Sequence, residues 1–244
     1  MNKKSKKGLF SILILVAITA SANDIDFVLE ASLPAYSYHK TSYANTDGSS
    51  SQNHVSDVVA KALLSPAYED QNPLSLSLLI NSASIHPVRL EIGGEYLVAD
   101  NIKYEANFIA RAIFQVSENT SVFFGGKIGM GKSTVKKSSI TFTGQNIFGG
   151  TASVEVPLPN TIPYYVSGGQ LGCTYKIIKN VELLALAEVI GKTANLSEEI
   201  DRGSVTSAAA GQGMNGVAIL SVLEAIGDQT VLSYSANIGL RFRF

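Results

Sequence analysis

The sequence predicts an all-β fold: an eight-stranded antiparallel transmembrane barrel of the up-and-down kind. Three observations lead there. The chain ends on strict two-residue alternation, with Leu232, Tyr234, Ala236, Ile238, Leu240, Phe242 and Phe244 on one row and Ser233, Ser235, Asn237, Gly239, Arg241 and Arg243 on the other. That segment is longer than a usual soluble strand and suits a tilted crossing of a bilayer. The pattern recurs upstream, with charges crowded on the row opposite the apolar one. Beyond residue 22 no run of about 18 uncharged apolar residues occurs, which excludes spanning helices.

Composition sets the outer bounds. The chain has 244 residues, 45% of them hydrophobic and 16% charged, enough for one large domain or two small ones. Nineteen bases against 20 acids exclude a dedicated nucleic-acid binder, which needs a basic excess to track phosphates. A single cysteine, Cys173, excludes an internal disulfide and a Cys-cluster zinc site.

The N-terminus reads as an address. Lys3, Lys4, Lys6 and Lys7 precede an apolar stretch over residues 9–20, and Ala20-Ser21-Ala22 has the small-x-small pattern of a cleavage site. Residues 1–22 are therefore read as a secretory signal peptide cut after Ala22, and residues 23–244 as one outer-membrane barrel domain. Without the four lysines, 15 bases face 20 acids.

The strands follow in order. Residues 25–35 place Ile25, Phe27, Leu29, Ala31, Leu33 and Ala35 opposite Asp26, Glu30 and Ser32. Residues 88–98 place Val88, Leu90, Ile92, Tyr96 and Val98 opposite Arg89, Glu91 and Glu95. Residues 103–116 set Tyr104, Ala106, Phe108, Ala110, Ala112, Phe114 and Val116 against Lys103, Glu105, Asn107, Arg111 and Gln115. Residues 181–191 set Val181, Leu183, Ala185, Ala187 and Val189 against Glu182 and Glu188. Residues 73–84, 121–135 and 161–176 alternate less cleanly. Tight turns at 85–87, 117–120 and 177–180 share one end. Longer joins at 39–72, 136–160 and 195–229, with a short one at 100–102, share the other. That asymmetry predicts periplasmic termini and extracellular long loops. Residues 55–64 and 217–226 read as short helices at the rim, and 43–53 and 203–216 as mobile loop tips. An alternative pairs 217–226 with the last strand and 203–213 with that, making ten strands.

With apolar rows on lipid, the opposite rows fill the barrel. Asp26, Glu30, Glu91, Glu95, Glu105, Glu182 and Glu188 then face Arg89, Lys103, Arg111, Lys127, Lys192, Arg241 and Arg243. Buried charges need partners or water. These residues form either an ion-paired plug or the lining of a narrow water path. A soluble barrel with an apolar interior has the same period, but the export signal, the long last strand and the terminal Phe244 favour the membrane form.

Other motifs are weaker. From Gly126 to Ser133 the letters GKIGMGKS match a phosphate-binding loop, but they lie in an alternating stretch with no amphipathic helix after it. The expectation is no bound nucleotide, with Gly125, Gly126, Gly129 and Gly131 serving curvature or close packing. His39, His54 and His86 are scattered and form no metal site. His54-Val55-Ser56, beside Asp57, could serve a lipid-modifying enzyme, but neighbours on one loop seldom make a catalytic set. Cys173 reads as a small lipid-facing residue, and Tyr96, Tyr104, Tyr164, Tyr165, Tyr175 and Tyr234 as interfacial girdle.

The closing segment, with Tyr234, Ile238, Leu240, Phe242 and Phe244 on its apolar row, resembles the last strand of bacterial outer-membrane proteins. The stretch from Pro163-Tyr164-Tyr165 through Gly168-Gly169-Gln170-Leu171-Gly172 to Val189-Ile190-Gly191 is similar to the penultimate hairpin of their surface-antigen, porin-like branch (OmpA-like transmembrane domains). The resemblance implies that the C-terminal aromatic row is read by the barrel-assembly machinery. It also implies a surface antigen in outer-membrane lipid, with loops open to host surface molecules or antibodies, and neither catalysis nor cofactor. Two other functions compete: a small porin, and a lipid-modifying enzyme.

Overall fold

The computed structural model describes residues 26–43, 73–81, 88–135, 138–195, 198–224 and 228–244. Eight strands close into a barrel: β1 (Phe27–Tyr43), β2 (Leu74–Asn81), β3 (Val88–Ala99), β4 (Ile102–Gln115), β5 (Thr120–Thr134), β8 (Thr161–Ile178), β9 (Val181–Asn195) and β10 (Asp228–Arg243). Every neighbouring pair is antiparallel, and β1 pairs β10 to leave no edge. Two further strands, β6 (Ser139–Gln145) and β7 (Thr151–Pro157), form a separate hairpin between β5 and β8. Two helices, α1 (Arg202–Gly211) and α2 (Gly216–Glu224), sit between β9 and β10.

Alternation decides which way each side chain faces. Along β4, Glu105, Asn107, Ile109, Arg111 and Ile113 are buried, while Ala106, Phe108 and Ala110 are exposed. Along β10, Ser233, Asn237 and Arg241 are buried, while Tyr234, Ile238 and Leu240 are exposed. The wall is thus apolar outside and largely polar inside, the reverse of a soluble barrel.

The pairing also fixes the tilt. Starting at Glu105, the partners run through Leu97, Ser75, Ser32, Gly239, Leu184, Thr174 and Ser121 and return to β4 at Gln115. The ladder has slipped from residue 105 to residue 115, a stagger that tilts the strands by about 40°. Three strands carry exposed or half-exposed aromatic residues at that same spacing: Tyr104 and Phe114, Tyr165 and Tyr175, Tyr234 and Phe244. At ~3.3 Å per residue and this tilt, the aromatic rows stand about 25 Å apart, the height of an apolar membrane band.

The two ends differ. At one, Phe27 and Phe244 exchange backbone hydrogen bonds of 3.3 and 2.9 Å, and the 117–120 and 179–180 turns lie alongside. The other carries the hairpin and the helices. There Val154, Val156 and Leu158 pack with Ile162, Tyr164 and Val166 of β8, Ile190 of β9, and Val205, Ala209 and Ile219 of the helices. The apolar face of this dome is therefore continuous with the inner wall at the loop end. Asp201 caps α1, accepting from the Gly203 N–H at 2.9 Å and the Ser204 hydroxyl at 2.6 Å. The Ser204 and backbone hydrogen bonds hold its carboxyl below the ordinary aspartate range, so the cap persists above that range and weakens as acid protonates it.

Several sequence expectations change here. The barrel has eight strands, and the ten-strand alternative fails because helices at Arg202–Gly211 and Gly216–Glu224 stand where it needs wall. Residues 203–216, expected as a mobile tip, contain α1, whose Val205 and Ala209 are buried in the dome. Residues 136–160, expected as loop, contain the β6–β7 hairpin. β1 continues to Tyr43, and a bulge between Pro34 and Tyr36 turns Tyr36 and Tyr38 outward. The signal segment with Ala20 and Ala22, Ile25, the 55–64 helix, His54, His86 and the 85–87 turn lie outside the described residues.

Glycines of β5 on the inner row make room for bulk. A Cβ on Gly131 would collide with the Tyr164 ring, whereas one on outward Gly126 would meet only the Gly168 carbonyl at 3.4 Å. Gly131→Val is expected to lower stability by about 2 kcal/mol, and Gly126→Ala to change it by less than about 0.5 kcal/mol. Urea unfolding of the refolded protein in detergent micelles checks both; equal effects would contradict the inward placement of Gly131.

Candidate functional site

The barrel interior gathers most of the charges named from sequence. Glu30, Glu91, Glu95, Glu105, Glu188, Arg111, Lys127, Lys192 and Arg241 are all buried. Arg111 holds Glu30 through two hydrogen bonds of 2.7 and 3.0 Å, gives its Nε–H to Gln170 at 2.7 Å, and lies 4.8 Å over the Phe123 ring. Arg241 grips both oxygens of Glu91 at 2.5 and 2.6 Å, reaches Glu182 at 3.3 Å, and has its Nε 3.2 Å from Glu30. Glu30 and Arg241 sit opposite one another on β1 and β10 in register, so closure of the barrel itself builds this part of the chain.

A second group lies nearer the loops. Lys127 is shared between Glu95 at 2.8 Å and Glu188 at 2.7 Å. Glu95 also accepts from the Ser75 hydroxyl at 2.6 Å and the Asn107 amide at 2.8 Å. Glu188 accepts from Asn237 at 2.7 Å and Gln170 at 3.2 Å. Glu105 accepts from Lys192 and from the Tyr164 hydroxyl, each at 2.7 Å. Hydrogen bonds to charged groups in a low-dielectric interior are the strong ones, and here each carboxylate has several.

The remaining named residues fall at the margins. Glu182 and Arg243 pair at 3.0 Å near the termini, half-buried. Arg89 is half-buried in the field of Glu91, Glu182, Arg241 and Arg243. Two placements are corrected. Lys103 is exposed, because β4 bulges between Ile102 and Tyr104 and the slip buries Ile102 in its place. Asp26 is exposed, because it precedes β1 at the terminal rim.

Sequence reading places Asn107 and Asn237 on the inward rows but misses Ser75, Tyr164 and Gln170 among the uncharged groups that join the ion pairs. Tyr164 was expected in the outer girdle; it is buried and donates to Glu105. The interior also carries apolar clusters, Val28 with Leu79 and Ile109, and Ile113 with Phe123, Leu184 and Leu186. A cavity of about 70 Å³, room for a few waters, opens beside Ser32, Ser75, Glu95, Lys127, Lys192 and Asn237.

Elsewhere the residues from Gly126 to Ser133 all lie within β5, with their backbone in the ladders to β4 and β8. The next described element is the strand β6 rather than a helix, and the amides serve the ladders instead of being aimed at a phosphate. Cys173 is exposed on the outer row of β8. Tyr234, Ile238, Leu240, Phe242 and Phe244 line the outer row of β10 and its end, with His39 in β1 paired to Ser233. Among the described residues no cluster of His, Cys, Asp and Glu could hold a metal ion.

No family model matches the chain, and no curated protein does. Among solved structures, it is similar to neisserial surface protein A at 12% identity and a TM-score of 0.39, over 91% of this chain and 98% of that one. It is also similar to the N-terminal β-barrel domain of Pseudomonas aeruginosa OprF, at 10% identity and a TM-score of 0.32 over 90% and 97% of the two chains. A third likeness is to Ail, the attachment invasion locus protein of Yersinia pestis, in complex with the heparin analogue sucrose octasulfate, at 14% identity and a TM-score of 0.32 over 89% and 97%. Likenesses of this size carry nothing about what the chain does. Its class follows from its own geometry: a closed, eight-stranded, tilted barrel with an apolar wall, aromatic rims and an ion-paired interior is of the transmembrane kind.

Removing one partner of a buried ion pair leaves the other charge stranded, at a cost of about 3–5 kcal/mol. Arg241→Leu is expected to cost that much. Adding Glu91→Leu should recover part of the loss. A double-mutant cycle from urea titrations measures the coupling, and strict additivity would contradict the pairing.

Proposed function

We propose that the protein is an outer-membrane barrel that displays its loop end at the bacterial surface, with its termini in the periplasm. The observation that carries this reading is the contrast between the ends. The terminal end has tight turns, while the loop end bears a built dome of hairpin and helices. Among the described residues, structure beyond the aromatic rim is built on one side only, which supports that side as the working one. The signal-peptide pattern and the aromatic terminal row support export and assembly into the outer membrane. Outer-membrane lipid on the wall, the barrel-assembly machinery during biogenesis and host surface molecules or antibodies at the loops are the partners this reading implies.

The interior supports display over conduction. A small porin needs continuous water past Arg111, Glu105 and Glu182, and the first two are wholly buried in ion pairs. The lipid-modifying alternative rests on His54-Val55-Ser56 and Asp57, which lie outside the described residues.

The test is sidedness. In a Cys173→Ala background, Thr151→Cys on β7 should react with a membrane-impermeant maleimide on intact cells. Asn119→Cys in the opposite turn should react only after permeabilisation. The reverse pattern, or labelling of neither on intact cells, would sink the display reading.

A further inference from the structure

The turn between β6 and β7 presents Ile147 and Phe148 to solvent at 77% and 85% exposure, and Val217 at the start of α2 is 71% exposed. Large apolar residues are seldom left so bare in sequence neighbours without a use. The turn is also preorganised. The Asn146 side-chain oxygen accepts from the Phe148 and Gly150 N–H groups at 3.0 and 2.9 Å. Gly149 adopts φ +79°, and the Ile147 N–H donates to the Gly213 carbonyl at 3.0 Å, tying the turn to the bend between the helices. Gly213, at φ +65°, leaves the space beside both side chains; a Cβ there would lie 3.5 Å from Ile147 and 3.6 Å from Phe148.

We infer that this tip is a membrane-insertion knob, with Ile147 and Phe148 entering the interfacial layer of an apposed, uncharged lipid bilayer. The inference rests on the display reading and names its partner. Three features select lipid. First, residues 140–154 and 203–223 contain no charged side chain, so insertion strands no charge in an apolar medium. Second, the knob is small. Side chains of this kind bury roughly 150–250 Å² each at most. Three of them fall short of the roughly 800 Å² per partner that a stable protein interface or a second copy needs. They suffice for reversible partition into lipid, which rewards each buried apolar side chain separately. Third, the tip is the part of the hairpin farthest along the chain from the barrel wall. The hairpin base, where Ser139 pairs Pro157, adjoins a dome core shared with inward-facing Ile162 and Tyr164, and the turn lies past all seven pairs, ~23 Å along the hairpin.

The chain has no tryptophan, so Phe148→Trp supplies a single tryptophan at the tip, excited apart from the tyrosines at the red edge of the absorption band. The full-length protein carrying it is placed in phosphatidylcholine nanodiscs and mixed with phosphatidylcholine vesicles. Brominated lipid is put in one bilayer at a time. Quenching and a blue shift with bromolipid in the vesicles alone are expected. Ile147→Ser with Phe148→Ser, checked for a heat-modifiable folded band, should reduce vesicle co-flotation by about tenfold or more. Quenching only from bromolipid in the nanodisc would overturn the proposal, because the tip would then lie on its own membrane. Absence of quenching from either bilayer would overturn it too, and would point to a protein partner. The Thr151→Cys labelling reads display independently. Surface labelling without quenching removes the lipid partner and leaves display standing, whereas absent labelling removes display itself.

Discussion

A closed eight-stranded wall encloses a space only wide enough for side chains, and charges placed there must find one another. That constraint governs the interior of this molecule. Glu30 joins Arg111 to Arg241, Arg241 joins Glu30 to Glu91 and Glu182, and Lys127 joins Glu95 to Glu188. Partners lie on strands far apart in sequence, as with Arg241 on β10 and Glu91 on β3. Such pairs form only when the sheet closes in the correct register. A slip of one residue would turn an inward arginine onto lipid and an apolar side chain into the ion network.

The backbone geometry serves the same constraint. The stagger tilts the strands and sets the aromatic rims about 25 Å apart. Inner-row glycines on β5 leave volume for the Tyr164 ring and the Arg111 stem. What reads in sequence as a phosphate-binding loop is thereby a run of small residues opposite large ones. The loop-end dome extends the wall in a different chemistry. There the inner row turns apolar at Ile162, Val166 and Ile190, and the hairpin and helices close over it.

Strand count, order and facing were legible because period-two patterns are long here and the buried face is charged, a signal that soluble strands lack. The errors occur where that period breaks. The bulge at Ile102 put Lys103 outside; one inserted residue inverts parity, and nothing in the letters marks it. The inner apolar clusters were not expected, and apolar doublets such as Leu183-Leu184, Ile113-Phe114 and Phe123-Phe124 were the available cue to them. Tyr164, in the pair Tyr164-Tyr165, belongs with them: one ring must face in when two are adjacent. Helix α1 was hidden because Gly, Ser and Thr fill its first turns, residues that compete with helix through backbone freedom or local hydrogen bonds, and only the short run Ala208-Ala209-Ala210 favours it before Val205 and Ala209 find the dome core. Asp201 followed by Ser204 was the available cue to its start.

The central claim is that paired charges fill the barrel rather than line a passage. Single-channel recording of the refolded protein in a planar bilayer, after a gel-mobility shift shows that it is folded, tests this most directly. The account predicts a silent barrel, with discrete openings emerging only when Arg111 or Arg241 is replaced by a short neutral residue. Steady conductance by the native protein, with ion preference altered by substitution at Glu105 or Arg111, would contradict it.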